Sequence, residues 1–129
     1  MLVISAFIFI FNGCSKDKKY LKRLEGKWSI AKVTFTDVRT KQSFYYTDNG
    51  YMNFYKDGAG SWEMNSFAPD MKKRSFTFEV KDNYITLLVD PNSYFNSIRF
   101  YIQQNESEFQ KWDGLEDNGI NKWILDLRK

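Results

Sequence analysis

One cysteine and no histidine stand among the 129 residues, so the chemistry open to this chain is narrow. Histidine is the commonest general base near neutral pH and the commonest metal ligand, and both roles would have to fall to other side chains. Carboxylates are plentiful. Asp57, Asp82, Asp90 and Asp113, however, sit beside turn residues, where Asx turns explain them better than acid catalysis. Glu116-Asp117-Asn118-Gly119 offers the oxygens a hard cation takes, but lacks the spacing of a calcium loop and reads more simply as a solvated loop. There is no glycine-rich phosphate loop, Cys/His metal spacing or Ser/His/acid set. The expectation is a protein that is not an enzyme, with no cofactor and no metal.

That leaves Cys14. Residues 2–11 are uncharged and apolar apart from Ser5. As a helix they would rise about 15 Å, half of a hydrocarbon core of about 30 Å, too short to span it and the right length for the h-region of a signal peptide. The run ends at Phe11-Asn12-Gly13-Cys14, and Gly13 directly before the cysteine resembles the lipobox of bacterial lipoproteins. The resemblance implies cleavage before Cys14, acylation of its thiol with a chain such as palmitate, and anchoring in the cell envelope. The implied location is an outer-membrane lipoprotein on the periplasmic face or the cell surface. The alternative is a buried free cysteine after a hydrophobic strand. A disulfide within the chain is impossible with one cysteine. Polar Ser15 to Lys19 read as a tether, and the organisation expected is residues 1–13 signal peptide, 14–23 lipidated cysteine and tether, and 24–129 folded domain.

Twelve Phe, eight Tyr and four Trp make the chain 19% aromatic, and such residues favour half-buried pleated surfaces. The net charge of +3 comes from interspersed charges with no basic block longer than Lys72-Lys73-Arg74, which indicates solubility and no nucleic-acid partner. Period-2 alternation is clearest over Arg74–Val80, with Phe76, Phe78 and Val80 on one face. Further strands are expected at Lys27–Thr36, Ser43–Thr47, Tyr51–Tyr55, Ala59–Met64, Ser97–Gln103, Glu108–Trp112 and Lys122–Leu127, with one more carrying Ile85, Leu87 and Val89. Trp28 and Ile30 share one parity and Val33 and Phe35 the other, so the first strand needs a bulge near Ala31-Lys32 to bury both pairs. Tyr20 to Leu24 could form one helical turn as a lid over one end, and Asn65–Lys73 and Asp113–Asn121 read as loops. Short strands in sequence joined by short turns point to an all-β, antiparallel up-and-down barrel of about eight or nine strands.

Gly26-Lys27-Trp28 on the first strand matches the G-x-W pattern of lipocalins. Phe54-Tyr55-Lys56-Asp57-Gly58 and Trp123-Ile124-Leu125-Asp126-Leu127-Arg128 resemble the lipocalin-like domain of small bacterial lipoproteins. The resemblance implies a barrel floor built by Gly26 and Trp28, with Arg128 laid over the indole, and a non-enzymatic protein binding a small apolar ligand. Phe54, Trp62, Phe76, Phe78 and Phe100 would then line a pocket. The same residues could simply fill a small barrel, the stronger reading for a domain this short. The second function class is an envelope accessory or protein-interaction module with a solid core and no small ligand, its protein partner unknown. A dry, filled barrel would favour that class; an internal void would favour the first.

Overall fold

The computed structural model describes residues 16–129. Two helices and nine strands follow one another: α1 over residues 16–24, β1 (Gly26–Asp37), β2 (Ser43–Thr47), β3 (Gly50–Phe54), β4 (Ala59–Met64), α2 (Pro69–Lys72), β5 (Lys73–Lys81), β6 (Tyr84–Val89), β7 (Ser97–Asn105), β8 (Phe109–Glu116) and β9 (Asn121–Arg128). All pairings are antiparallel. From β3 to β9 each strand pairs with the next, and β9 closes the barrel onto β1 from Ser29↔Arg128 to Asp37↔Asn121. The expected all-β up-and-down barrel is the observed fold.

β2 and β3 lie end to end along one edge of β1, β2 against Lys32–Thr36 and β3 against Gly26–Ser29. They therefore share one position, and eight positions make the ring. At the junction the amides of Asp48 and Asn49 donate to the carbonyls of Ala31 and Ile30 at 3.0 and 2.9 Å. Gly50 takes φ +97 there, and a Cβ on it would lie 1.8 Å from the Glu63 carbonyl oxygen, so only glycine fits. On its other side β1 carries the expected bulge: the register with β9 shifts between Ile30 and Lys32, and Trp28, Ile30 and Val33 are all buried.

The interior is filled with rings. All four tryptophans are buried. Ring contacts run unbroken from Trp112 to Phe54 (5.7 Å), from Phe54 to Phe76 (5.7 Å), from Phe76 to Trp62 (5.9 Å) and from Trp62 to Trp123 (5.9 Å). Two inward glycines make room. Phe76 lies across Gly60 on the neighbouring strand and Phe100 across Gly114, each ring covering the place a side chain would occupy.

Three expectations are corrected. Lys16–Lys19 are helical, not a tether, because the helix runs on through Tyr20 and Leu24, whose i, i+4 spacing buries both on the barrel. The 65–73 loop contains α2, begun by Pro69 in its first turn with Asp70 beside it, both favourable at a helix start. β8 continues through Glu116 instead of ending at Trp112, since Gly114 is a packing position for Phe100 and not a breaker. Cys14 and the 1–13 segment lie outside the described residues.

A methyl at residue 114 would sit 2.4 Å from Phe100 Cδ1 and 2.7 Å from the Arg99 carbonyl oxygen. Gly114→Ala should therefore destabilise the barrel by about 1–3 kcal/mol, the usual cost of overpacking a dense core. Urea unfolding checks this, and an unchanged midpoint would contradict the packing described.

Candidate functional site

The two ends of the barrel differ. At the base, α1 is locked down by buried polar contacts. Trp28 Nε1–H donates to the Leu24 carbonyl at 2.7 Å, and the Tyr20 hydroxyl donates to Gln110 Oε1 at 2.6 Å. Trp112 Nε1–H reaches both Tyr20 Oη (3.1 Å) and Gln110 Oε1 (3.2 Å). Burial pushes the Tyr20 hydroxyl well above its ordinary pKa, which keeps it a donor throughout the physiological range. Gly26 and Trp28 lie at this end of the barrel, and the cation over the indole is Lys129, not Arg128, 5.2 Å from the ring centroid. Its ammonium also donates to the carbonyls of Arg23 and Glu25 at the end of α1. Arg128 is exposed beside Phe109 instead, because Trp123, Leu125 and Leu127 set the inward parity of β9 and turn residue 128 outward.

The expected pocket residues do not surround a central space. Phe54, Trp62, Phe76, Phe78 and Phe100 are all buried in contact with other rings, and they fill the barrel.

An open cleft lies at the other end, where three loops are laced together by side chains. Arg74 Nε donates to Asp90 Oδ1 at 2.9 Å, and its terminal nitrogens reach the carbonyls of Asp70, Asp90 and Pro91. Asn92 folds its own loop by accepting from the amides of Tyr94 and Phe95. The Tyr94 hydroxyl donates to Asp70 Oδ2 at 3.1 Å, and Asn118 Nδ2 donates to the Tyr94 carbonyl at 3.0 Å. α2 is held by Trp62 Nε1–H donating to the Met71 carbonyl at 2.9 Å.

Between these loops is an open cleft of about 450 Å³. Phe67, Ala68, Met71, Tyr94, Phe95 and Ile120 give it apolar walls, and Ser93, Glu116, Asn118 and Asn121 supply its polar groups. Next to it Trp123 packs edge-on to Phe35 at 4.9 Å and against Phe67 and Phe95 at 5.6 and 5.8 Å. Trp123 Nε1–H donates to Glu116 Oε2 at 2.7 Å, and Asn121 Nδ2 donates to Oε1 at 3.2 Å.

Glu116 is 5% exposed, and none of the four ion pairs among the described residues includes it. Burial raises its carboxyl pKa above the ordinary value of 4.5, and the bonds from Trp123 and Asn121 only partly offset this. Glu116 was not singled out by sequence alone beyond its place in an acidic loop. Its shared parity with Trp112 and Gly114 was the available signal, hidden by ending β8 too early. In that acidic stretch Asp117 Oδ1 accepts from the Asn96 amide. No cluster suited to a metal occurs among the described residues.

No protein-family model and no curated protein sequence matches this chain. Solved structures do. A lipocalin-like protein from Bacteroides uniformis ATCC 8492 aligns with a TM-score of 0.56 at 19% identity, over 83% of this chain and 98% of that one. A redesigned beta barrel aligns with a TM-score of 0.55 at 18% identity, over 85% of this chain and 94% of that one. At these identities the likeness establishes a lipocalin-like barrel fold.

The Glu116 environment sets a sign for pH dependence. Below 4.5 its carboxyl is neutral in both folded and unfolded chains, so its burial carries no charge penalty. As pH rises the unfolded chain ionises first, and stability falls until the raised folded pKa is passed. Asp37, held below its usual range by Arg39, and Glu63, held below its own by Tyr51, act in the opposite sense and lose stability as pH falls. Comparing wild type with Glu116→Gln isolates the first effect. Between about pH 4 and about pH 8 the melting temperature of wild type should drop relative to the variant, and a pH-independent difference would remove the buried-carboxylate description.

Proposed function

We propose that this is a lipid-anchored cell-envelope protein, not an enzyme, whose lipocalin-like barrel is a solid scaffold for a binding cleft at its mouth. The observation that carries this reading is the division of the molecule. Rings occupy the barrel axis, while an apolar cleft with a few convergent polar groups opens among the mouth loops. A small pocket of that composition is the usual form of a site for a partly apolar small molecule. The ligand therefore sits at the mouth and not in the middle of the barrel. The anchor rests on the apolar segment of residues 2–11 and the Gly13-Cys14 pair that ends it.

A second reading is an accessory module that binds another protein. It is favoured by β2, every residue of which is exposed. Among the described residues β2 pairs only with β1, which leaves its other edge open, and it carries Phe44, Tyr45 and Tyr46. A free, aromatic edge can take an added strand from a partner.

Two outcomes test the proposal. Cys14→Ala should move the protein from the membrane fraction to the soluble fraction, and wild type should carry an acyl mass. A variant that still sediments with membranes, with no acyl mass on wild type, would remove the anchor. Ala68 is an exposed wall residue, so Ala68→Trp should fill the cleft without touching the core. Native mass spectrometry of protein purified from its host should show a retained small molecule on wild type. Ala68→Trp should weaken retention by about tenfold or more, about 1.4 kcal/mol of binding free energy. Equal retention by both proteins would place the ligand elsewhere.

A further inference from the structure

Resting on the cleft reading above, we propose that the mouth cleft recognises a protonated amine on an apolar body, with the ammonium paired to Glu116 and the body held by the aromatic walls.

The argument starts from charge. Among the side chains that line the cleft, Glu116 is the only charged one. Its partners, Trp123, Asn121 and Asn118, are all neutral donors, and none brings a positive charge. Neutral donors satisfy hydrogen bonding without cancelling the charge, and a buried charge without a counter-charge is costly. The fold could have met this with one of its many lysines or arginines. Arg74, the cation that laces the mouth loops, sends its bonds to Asp70, Asp90 and Pro91. The carboxylate is thus placed in a wall of the cleft with its counter-charge left to come from outside.

The other surfaces agree in sign. Phe67, Tyr94 and Phe95 line the cleft, and ring faces are electronegative, attracting an ammonium and repelling an anion. A fatty acid or a phosphate ester would bring a second negative charge against Glu116. A neutral apolar ligand would bury the carboxylate further with no compensation. An alkyl- or arylalkylamine pairs the charge and uses the apolar walls, and a cleft of about 450 Å³ has room for both parts.

Phenethylamine and its neutral isostere phenethyl alcohol separate the possibilities, with binding to the full chain followed by calorimetry and by the Trp123 indole N–H resonance. That N–H bonds Glu116 directly and reports on the carboxylate itself. Phenethylamine should bind at least about tenfold tighter than the alcohol, as expected for a desolvated charge pair, and should shift the Trp123 resonance. Glu116→Gln should remove the preference and leave alcohol binding unchanged. Should the variant not fold, the comparison of the two probes on wild type decides alone. Equal affinities, both lost in Ala68→Trp, would overturn the amine assignment and leave the cleft standing as an apolar site. No binding of either probe, with no shift at Trp123, would overturn the cleft reading and this inference together.

Discussion

A closed barrel with eight positions has an interior that side chains can fill, and this one admits its large rings because glycine faces them. Gly60 lies under Phe76 and Gly114 under Phe100, each pair directly cross-strand. Without those two missing side chains, the rings could not reach the axis and the stack from Trp112 to Trp123 would be broken. The rest follows from the filled axis. With no room in the centre, any ligand must be met at an end. At the base α1 covers the barrel and leaves a cavity of about 260 Å³ against Val80 and Ile102, while the cleft at the mouth is the more apolar of the two.

The two ends use tryptophan in different ways. At the base, Trp28 and Trp112 turn their N–H groups to a helix carbonyl and to the Tyr20–Gln110 pair, which closes that end. At the mouth, Trp62 holds α2, and Trp123 spends its donor on a carboxylate that borders solvent-accessible space. All four indoles are buried, and buried indole N–H groups need partners; here those partners tie the core to the elements at each end.

Much of the barrel was legible in the sequence because its strands obey local rules. β5 shows plain alternation, and the parity conflict between Trp28 and Val33 marks the place of the β1 bulge. What stayed hidden depends on contacts between distant residues. Gly114 looks like a breaker until Phe100 is seen across it. Misreading it cut β8 short and left Glu116 in a loop instead of on an inward face. Arg128 looked right for the floor by position, yet strand parity gives that place to Lys129. The cleft has no sequence signature of its own, because three separate loops build it and Arg74, Asn92 and Asn118 join them only in the folded chain.

The seam between β1 and β9 joins the first strand to the last, from Ser29↔Arg128 to Asp37↔Asn121. Every other strand pairing of the barrel forms between neighbours in sequence or, for β1 with β3, across one short strand, but this one must wait for the whole chain and bear the loop-closure entropy of nearly all of it. Non-local topology of this kind slows folding to the order of milliseconds to seconds. Until the seam shuts, the edges of β1 and β9 are bare and the ring stack lies open to water. The hazardous interval for this protein is therefore the one just before closure, when an unclosed barrel offers two adhesive edges to any neighbouring chain.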